Sequence, residues 1–563
     1  MGHNATVSLL RDGAIEEAIS EERFAYAKNF IGFPHMALGH VMKKYGVVPS
    51  ETLVGVVGRH PGSMVDITRK GPNYVGNRWL KLTHDYPLAY ELAKPYISYR
   101  NGSAASKYQK EFESHMAGLG FRKENISYVD HHTCHAYTPL AFLKWNDATV
   151  LTLDGSGDGL CSTVWELDGA MKKIADSPLY SSLGEVYSCI TEFLGMKYLE
   201  HEYKVMGLAA YVRGEYAKDL VDEFSKLLFL NSDGLTFGSR FPTSRFGAYL
   251  EKHHVGSRFD NLAYAVQKLT ENLVSQWSKN CIKKTGIARI ATSGGVFMNV
   301  KANKVIANSE EFKDVFFTPS AGDESAPIGA AQYIYLEKLG AKPGSARPIK
   351  DMYLGIGFST EQVGEYLKKK DVGKKHKVEL YKDIGGTIAE LIGRGEVVAR
   401  FAGRCEFGAR ALGNRTILGD PSKAETFHIV NNQIKMRDFW MPFAPTMLDS
   451  RADEYIENPL KREAPYMVLA FDSTREGKKS FVSAMHNGDW TLRPQILKKD
   501  WNPEYYRIIK EFEGITGIGG VLNTSFNLHG YPIASTPEQA MHVFENSDLR
   551  YLALEDYLIS KRH

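Results

Sequence analysis

Strands and polar turns alternate through the first part of the chain. Ala5 to Leu10 alternates apolar and polar residues as a half-buried strand does, Asp12-Gly13 is a hairpin turn signal, and Ala14 to Ser20 is predicted to return as a second strand. Ala148 to Leu153 repeats this order and runs into a second glycine turn, Asp154 to Gly159. The pattern predicts an internally duplicated α/β domain.

Two repeated units of strand, polar glycine turn and strand are typical of the actin-like (ASKHA) ATPase architecture, in which paired turns face a phosphate-bearing ligand. The second unit has a strand before its glycine turn, whereas the first begins at Met1-Gly2-His3-Asn4. Either a leading strand lies upstream of this start, or the protein tolerates a shortened sheet edge.

A helix and a third glycine turn follow. Apolar residues recur at helical spacing from Phe259 to Lys284, and Ala288 to Thr292 is predicted as a strand that ends in Ser293-Gly294-Gly295. A Pro/Gly-rich stretch from Gly340 to Pro348 then interrupts the pattern and is typical of a linker.

This linker divides the chain into two predicted domains. We place an actin-like domain at residues 1–342, the linker at 343–350 and a second α/β domain at 351–563. In the second domain a helix from Ile384 to Ile392 precedes a strand from Val397 to Ala402. Basic residues follow directly, at the kind of strand end where ligands commonly bind.

Composition excludes several classes of protein. The 563 residues are 43% hydrophobic and 24% charged, as in globular proteins, and 69 basic against 66 acidic residues give no global field that would select nucleic acid. Five scattered cysteines without a C-x-x-C pair favour neither disulfides nor a thiolate zinc site. No apolar run approaches the roughly 18 residues that a membrane span needs. We therefore expect a cytoplasmic protein without a membrane partner.

His131 and His135 lie four residues apart, so on a helix both imidazoles project from one face and can share a cation. For such a pair alone, a capped helix with ordinary hydrogen-bonded histidines is the alternative. Asp154 and Asp323 each lie in a glycine turn and could complete a mixed nitrogen and oxygen shell, which suits a divalent transition metal. We predict a metal site at these four residues.

Two glycine turns, Asp154 to Gly159 and Ser293 to Gly295, offer backbone N–H groups without side-chain obstruction, as phosphate-binding loops do. Tight turns without a ligand account for most glycine doublets. The prediction therefore depends on the occurrence of both turns together with the histidine pair.

Three arginines stand among glycines in one segment, Gly403 to Arg415. Such a segment can clamp a phosphate or a carboxylate bidentately, and the alternative is a solvated loop with surface salt bridges. We favour the clamp because the segment follows a predicted buried strand and because Lys435, Arg437 and Arg493 add cations downstream. Asn523 to Asn527 could donate neutral hydrogen bonds to the same ligand or form an Asx turn.

These motifs resemble, over nearly the whole chain, those of the NodU/CmcH-type O-carbamoyltransferases, which modify antibiotics, nodulation factors and related small molecules. The resemblance rests on segments that occur in the same order: Glu21 to Phe24 with Lys28, His131 and His135, Asp154 to Gly159, Tyr203 to Ala209, Ser293 to Asn299, Arg404 to Arg415, Pro442 to Pro445, and Leu522 to Asn527.

The resemblance implies an actin-like N-terminal domain similar to the tRNA threonylcarbamoyl-transferases and a YrdC-like α/β C-terminal domain. Carbamoyl phosphate and ATP would give a carbamoyl-adenylate in the C-terminal domain, and an acceptor hydroxyl would attack it at the N-terminal metal. Carbamate is a poor electrophile until its oxygen becomes a leaving group. Adenylation provides one but crowds anionic charge, which arginines offset.

The resemblance also implies the site residues, position by position. His131, His135, Asp154 and Asp323 would hold a divalent metal, with Fe(II) as first choice and Mn or Mg as alternatives. Nucleotide contacts in the N-terminal domain would come from Gly155, Gly157, Asp158, Lys204, Ser293, Gly294, Gly295 and Asn299. Carbamoyl phosphate and ATP would be bound in the C-terminal domain by Arg404, Arg410, Asn414, Arg415, Lys435, Arg437, Arg493, Asn523 and Ser525.

The acceptor is less constrained than the donor. A Lewis-acid metal would polarise the carbonyl while the acceptor alcohol loses a proton, for which His132 and Lys28 are the candidate residues. Family members often carry Arg where Tyr26 stands and His where Asn29 stands, both beside Lys28 in the region expected to face the acceptor. We expect a small-molecule hydroxyl acceptor, whose identity these departures leave open.

Two other functions compete with this hypothesis. A tRNA-modifying threonylcarbamoyl-type transferase would need a basic footprint, which does not fit a near-neutral chain with its cations in one expected pocket. A non-catalytic nucleotide-binding scaffold would have lost a ligand or clamp position, whereas every position that we can match is occupied. A homodimer is left open as the assembly.

Overall fold

The computed structural model describes residues 4–59 and 106–562, which fold into two compact units. Unit 1 comprises Met1–Val205, Arg213–Met298 and Glu311–Ile349, and unit 2 comprises Met206–Val212, Asn299–Glu310 and Lys350–His563. The short segments 206–212 and 299–310, which the sequence-based division assigns to the first domain, therefore pack with unit 2.

The strands are numbered in chain order. They are β1 (Thr6–Arg11), β2 (Ala14–Ser20), β3 (Val54–Val57), β4 (Ile126–Val129), β5 (Asp147–Gly157), β6 (Leu160–Asp168), β7 (Met171–Pro178), β8 (Leu228–Leu230), β9 (Phe237–Ser239), β10 (Arg289–Ser293), β11 (Asp314–Phe317), β12 (His376–Leu380), β13 (Val398–Phe401), β14 (Arg415–Gly419), β15 (Ala444–Leu448), β16 (Phe471–Asp472), β17 (Thr491–Leu492), β18 (Gln495–Leu497), β19 (Gly520–Ser525), β20 (Tyr551–Leu554) and β21 (Tyr557–Lys561).

The α-helices are numbered in the same way. They are α1 (Glu22–Ala25), α2 (His35–Tyr45), α3 (106–118), α4 (His131–Tyr137), α5 (Leu183–Phe193), α6 (Glu202–Ala209), α7 (Lys218–Leu227), α8 (Phe246–His253), α9 (Phe259–Thr285), α10 (Val300–Ala307), α11 (Ala326–Tyr333), α12 (Thr360–Lys369), α13 (Val372–Lys375), α14 (Ile384–Gly393), α15 (Ala424–Val430), α16 (Ala452–Tyr455), α17 (Arg475–Ser480), α18 (Pro503–Thr516) and α19 (Pro537–Glu545).

The second half of unit 1 contains a five-stranded sheet of order β11-β10-β5-β6-β7. β5, β6 and β7 pair antiparallel, whereas β10 pairs parallel with both β5 and β11. Asp158 and Gly159 have positive φ angles of 49° and 88°, which let the chain turn so that Gly157 pairs with Leu160. The predicted strand, glycine turn and strand are confirmed.

The first half of unit 1 repeats part of this arrangement. β1 and β2 form an antiparallel pair, and β3 and β4 form a parallel pair, as β6–β7 and β10–β11 do. The predicted duplicated α/β class is therefore confirmed. The described residues of this half contain no counterpart of β5, which separates the two pairs in the second half.

Helix α9 packs one face into unit 1. Leu262, Val266 and Trp277 are fully buried on this helix, and Trp277 Nε1 donates a hydrogen bond of 2.8 Å to Leu235 O. The helix ends at Gly286, which adopts the left-handed conformation. Apolar spacing thus located both ends of the helix to within one residue.

Unit 2 is built on an eight-stranded mixed sheet of order β12-β21-β20-β13-β14-β19-β15-β18. Helices α14 and α18 pack on it through a core that includes Ile388, Ile392, Ile508 and Phe512. The helix and strand predicted before the arginine segment are α14 and β13, and the α/β class is confirmed for this unit too. β13 and β14 are antiparallel neighbours, so the arginine segment connects two interior strands.

None of the helices in the described ranges combines the length and the apolarity that crossing a membrane requires.

Candidate functional site

The four residues predicted to bind a metal converge in unit 1. The Nε2 atoms of His131 and His135 are 3.0 Å apart, and His131 Nε2 lies 3.2 Å from Asp154 Oδ2. Asp323 Oδ1 lies 3.4 Å from His131 Nε2 and 3.5 Å from His135 Nε2. One potential ligand atom from each residue lies within 4.8 Å of all the others. Two imidazole nitrogens and two carboxylate oxygens at this spacing fit a divalent transition metal.

Three elements place the four metal-site residues. Both histidines come from the first turns of α4, whose N-cap Asp130 accepts a hydrogen bond from Thr133 N. Asp154 lies on β5, next to α4, and Asp323 begins a turn directly before α11. The cluster therefore has support from a helix, the central strand and a turn. We call these four residues the metal cluster.

Opposite charges stabilise the metal cluster. Burial alone would lower the pKa of His131, but Asp323 and Asp154 override this effect and raise it to about 9. Burial would raise the pKa of Asp154, yet the hydrogen bond with His131 and the charge of His135 lower it. Asp323 behaves in the same way, with His131 as the main cause of its lowered pKa. The carboxylates are thus held in the ionised form that ligates metals.

Several residues predicted to bind a nucleotide in this domain contact the metal cluster. Gly295 N donates to Asp154 Oδ1 at 2.9 Å, and Ser293 Oγ lies 3.3 Å from His135 Nδ1. Asp158 Oδ2 accepts a hydrogen bond of 2.8 Å from His131 N. These contacts orient the ligands, as partners of metal-bound residues commonly do. Nucleotide binding by these residues stays a prediction.

At two positions next to the metal cluster, steric clashes exclude every residue except glycine. A Cβ atom on Gly157 would lie 2.1 Å from His131 Cδ2, so any side chain would displace that ring. A Cβ on Gly184 would lie 2.8 Å from Gly155 Cα, where the start of α5 packs against the glycine turn. Gly184 was missed from the sequence because its role depends on a contact that only the folded chain makes. Gly294, also predicted to bind nucleotide, has a φ of 101°.

The two predicted catalytic residues have very different surroundings. His132 is fully buried, its Nδ1 lies 2.7 Å from Thr152 Oγ1, and burial together with His131 and His135 lowers its pKa to about 4. Lys28 is one-third exposed, with 32% of its side chain accessible, and its Nζ donates to Glu200 Oε1 at 3.1 Å. The geometry gives Lys28 access to a ligand and gives His132 a place in the core.

The segment around Lys28 interacts with the turn that contains Glu324 through the charge of Glu22. Asn29 N donates to Glu22 Oε2 at 3.0 Å, and the charge of Glu22 contributes to the raised pKa of Glu324, the neighbour of metal-cluster residue Asp323. Burial is the main cause of that shift, which brings the pKa of Glu324 to about 7. Sequence reasoning missed Glu22, Glu324 and Glu200 as neighbours of the site, although Glu21-Glu22-Arg23 was part of the recognised motif.

Lys204 and Asn299 are the last two residues predicted to contact a nucleotide in the N-terminal domain. Lys204 is buried in unit 1, and its charge helps to lower the pKa of His201, for which burial is the larger cause. Asn299 belongs to unit 2, where its side chain caps α10 by accepting from Lys301 N and Ala302 N. Nucleotide binding by either residue stays a prediction.

Two of the three arginines in the arginine segment of unit 2 bind backbone carbonyl groups. Arg404 Nε and Nη2 donate to Gly355 O at 3.0 Å and Leu354 O at 2.6 Å. Arg415 is fully buried and donates to Ala402 O at 2.7 Å and Gly403 O at 2.9 Å. These two guanidinium groups hold backbone carbonyls, so the geometry assigns them to the support of the loop. Anion binding by them stays a prediction.

A buried carboxylate organises the same loop. Glu406 Oε1 accepts hydrogen bonds from Leu412 N at 2.8 Å, Asn414 N at 2.8 Å and Arg415 N at 3.0 Å. The Asn414 side chain accepts from Arg400 Nη1 and donates to Arg404 O. Asn523 Nδ2 donates to Ala411 O at 3.1 Å. Asn414 and Asn523 thus contact the protein itself, and their predicted ligand contacts stay predictions.

The remaining cations form a group of like charge. Burial, followed by the charges of Arg410 and Arg437, lowers the pKa of Arg493 well below its usual value. Burial and the charge of Arg437 do the same to Lys435. Each of these residues is destabilised by its positive neighbours, and a bound anion would relieve the repulsion. We call Arg410, Lys435, Arg437 and Arg493 the cation cluster.

Lys435 is fixed by the predicted amide and hydroxyl segment. Its Nζ donates to Ser525 Oγ at 3.1 Å, to Asn527 O at 3.1 Å and to Asn527 Oδ1 at 2.5 Å, and it also contacts Ser525 O. Ser525 Oγ in turn donates to Asn527 Oδ1 at 2.7 Å. Asn527 therefore belongs beside Ser525, and the sequence segment Asn523 to Asn527 already contained the signal.

The two sites can be set against known families. Residues 1–332 match the family described as Carbamoyltransferase N-terminus, and residues 389–561 match the family described as Carbamoyltransferase C-terminus. The chain belongs to the carbamoyltransferase family. The metal cluster of this carbamoyltransferase lies within the N-terminal match, and its cation cluster lies within the C-terminal match.

Similar proteins cover the carbamoyltransferase along most of its length. An uncharacterized protein of Methanocaldococcus jannaschii is 32% identical over 587 residues, which cover 100% of this chain and 98% of that protein. The nodulation protein NolNO of Sinorhizobium fredii is 29% identical over 100% of this chain and 79% of its own length. The 3'-hydroxymethylcephem-O-carbamoyltransferase of Amycolatopsis lactamdurans is 26% identical, with 71% of this chain and 74% of that enzyme covered. The NodU/CmcH-type resemblance is confirmed.

Proposed function

We propose that this carbamoyltransferase uses ATP to activate carbamoyl phosphate at the cation cluster and transfers the carbamoyl group to a hydroxyl of a small molecule at the metal cluster. The observation that carries the proposal is the contrast between the two clusters, since one offers ligands for a cation and the other an excess of positive charge. O-carbamoylation requires both chemistries, an anionic donor and a polarised carbonyl.

Activation is the task that suits the cation cluster. Water cleaves carbamoyl phosphate to carbamate and phosphate, and a carbamate oxygen then attacks the α-phosphorus of ATP, which gives carbamoyl-adenylate and pyrophosphate. Apart from water, every species in this sequence is anionic, and the adenylate step brings two anions together. Arg410, Arg437 and Arg493 can offset that charge, and Lys435 is held rigid by Ser525 and Asn527.

Transfer suits the metal cluster. His131, His135, Asp154 and Asp323 would hold a divalent metal, for which we keep Fe(II) as first choice with Mn and Mg as alternatives. When bound, such a metal acts as a Lewis acid on a carbonyl oxygen. Ser293 contacts the His135 ring, Gly295 donates to the Asp154 carboxylate and Asp158 holds the backbone N–H of His131, so the protein positions three of the four ligands.

The acceptor would enter beside Lys28. The partly exposed Lys28 ammonium can contact an acceptor, whereas the buried His132 ring supports α4 from within through Thr152. The names of the relatives support a small hydroxylated acceptor, since one is an O-carbamoyltransferase of a hydroxymethylcephem and another is a nodulation protein. A balance of 69 basic and 66 acidic residues is consistent with such an acceptor.

The test separates the two half-reactions. The full chain, reconstituted with Fe(II), is mixed with ATP and carbamoyl phosphate, and pyrophosphate release is measured with and without each substrate. Hydroxylated antibiotics, glycosides and nucleotide sugars are then screened as acceptors against bulk tRNA. We expect pyrophosphate release that requires carbamoyl phosphate, and labelling of a small hydroxyl compound. Absence of carbamoyl-phosphate-dependent release would overturn the activation step, and efficient labelling of tRNA alone would overturn the acceptor class.

A further inference from the structure

The loop that follows Lys435 exposes two large apolar side chains. Met436 is 77% exposed and Phe439 is 73% exposed, although apolar surface of this size is unfavourable in water. The loop follows a π-helical turn at Asn431–Lys435, and single π-helical turns are frequent at functional sites. Met436 has a φ of 47°, a left-handed conformation that costs free energy for a residue with a Cβ atom.

Hydrogen bonds and a ring contact hold this exposed loop in one conformation. Asn431 Oδ1 accepts from Arg437 N at 3.1 Å and Asn431 Nδ2 donates to Arg437 O at 3.0 Å, so one buried amide holds both sides of the arginine backbone. Met441 N donates to Asp438 O at 3.0 Å. The rings of Phe439 and Trp440 meet edge to face, with centroids 5.1 Å apart. The hydrogen bonds and the ring contact keep the strained turn and the exposed side chains in place.

Two residues of the cation cluster flank Met436 in the sequence. Lys435 and Arg437 stand directly before and after Met436, and Arg437 is one of the two charges that act on Arg493. Exposed apolar and aromatic side chains that adjoin two of the cations in the sequence match the two halves of a nucleotide, a base with a π face and a chain of phosphates. A phosphate ligand without a base would have no use for the apolar half.

We propose that Met436 and Phe439 form a platform on which the purine base of ATP stacks while its phosphates occupy the cation cluster. The aromatic ring offers a flat face to the base, and the thioether of Met436 adds a polarisable contact. The proposal rests on the proposed function, because it takes the nucleotide of the activation step as the ligand. It adds the residues that would distinguish ATP from a bare phosphate chain.

The experiment compares two probes on the full chain, ATP and inorganic tripolyphosphate, by calorimetric titration. Loss of one stacked base commonly weakens binding by about tenfold or more, so we expect Phe439→Ala to weaken ATP by that factor and to leave tripolyphosphate unchanged. Phe439→Trp should restore ATP affinity, because it keeps the π face. Phe439→Leu should restore little, because it keeps apolar area without that face.

Leu380→Ala is the matched control. Leu380 is 62% exposed in the same unit, on edge strand β12, which lies five strands away from β19 with its Ser525. It should change neither affinity. Equal affinities of wild type and Phe439→Ala for ATP would overturn the platform. If affinity is unchanged while sedimentation of the variant differs, the exposed side chains serve a contact between copies of the chain, which would overturn the platform as well. Failure of the wild type to bind tripolyphosphate and ATP alike would instead count against the cation cluster as the activation site.

Discussion

In the metal cluster of unit 1 two imidazoles face two carboxylates, whereas in the cation cluster of unit 2 the charges of Arg410 and Arg437 act on Arg493, and that of Arg437 also acts on Lys435. The first arrangement is attractive, and it raises the pKa of His131 to about 9. The second is repulsive: burial is the main cause of the lowered pKa of Arg493, and the positive charges of Arg410 and Arg437 lower it further. A metal would replace an attraction that already exists, but an anion would remove a repulsion that the fold has to withstand.

The supports of the two clusters differ accordingly. Around the metal cluster, Ser293, Gly295 and Asp158 each make one contact, to His135, Asp154 and the backbone of His131. Around the cation cluster, a network that includes Glu406 and Arg415 holds the backbone of the loop itself. We infer that the metal cluster depends on few contacts that can be removed one at a time, whereas the cation cluster depends on a scaffold that also stabilises unit 2.

The largest effect is expected when a metal ligand is removed. His135→Ala should abolish carbamoyl transfer and spare carbamoyl-phosphate-dependent pyrophosphate release, because the cation cluster is in the other unit. Even partners of metal ligands commonly cost about 10- to 100-fold when lost, and a ligand should cost more. Transfer, release and metal content are measured on one preparation. His253→Ala, an exposed histidine of unit 1, is the control. Full transfer by His135→Ala would remove the metal cluster from the reaction.

Arg410→Ala should give the next largest effect, in the opposite half-reaction. Loss of one buried charge-assisted contact to a phosphate commonly costs about 2 to 5 kcal/mol, so the use of carbamoyl phosphate should fall by well over tenfold. Arg410→Lys should recover part of this loss, because lysine restores charge without the planar fork. Pyrophosphate release is measured against carbamoyl phosphate concentration, with exposed Arg475→Ala as the control.

The metal content of the Arg410 variants sharpens the comparison. We expect it to equal that of the wild type, because Arg410 belongs to unit 2 and the metal cluster to unit 1. Normal release combined with loss of metal would show that the arginine segment serves the metal cluster instead.

Sequence reasoning predicted both clusters for physical reasons that are local. Helical spacing places His131 and His135 on one face, and glycine turns at Asp154 and before Asp323 expose carboxylates. Hydrophobic spacing likewise predicted α9 and β13. These signals lie within single elements, so the chain displays them without its fold.

The division of labour among the arginines could not be predicted in this way. Arg404, Arg410 and Arg415 look alike in the segment, yet Arg404 reaches Leu354 and Gly355, about fifty positions earlier. The same limit applies to Gly184, which must be glycine because a Cβ atom there would collide with Gly155. Contacts between distant segments decide these roles, and no periodicity encodes them.

A smaller effect is expected from a single orienting contact in unit 1. Ser293→Ala removes the hydroxyl 3.3 Å from His135 Nδ1, and metal affinity should fall by about tenfold, the lower end of the range for such partners. Competition with a chelator measures the affinity. Ser162→Ala is the control, because this buried serine of the same sheet contacts Ser177. Unchanged affinity in Ser293→Ala would mean that packing alone orients His135.

The smallest effect on a ligand is expected from Arg415→Lys, and it tests the scaffold role directly. Arg415 lies with its guanidinium carbon 3.5 Å from the centre of the Phe401 ring and donates to Ala402 O and Gly403 O. Lysine cannot reproduce the stacked, forked arrangement, so the free energy of unfolding should fall by about 1 to 3 kcal/mol. Carbamoyl phosphate affinity of the folded protein should change by less than about twofold, as for residues that share no ligand. Chemical unfolding and titration with carbamoyl phosphate measure the two quantities. A tenfold loss of affinity with unchanged stability would show that Arg415 contacts the anion, and the contrast between scaffold and clamp would then disappear.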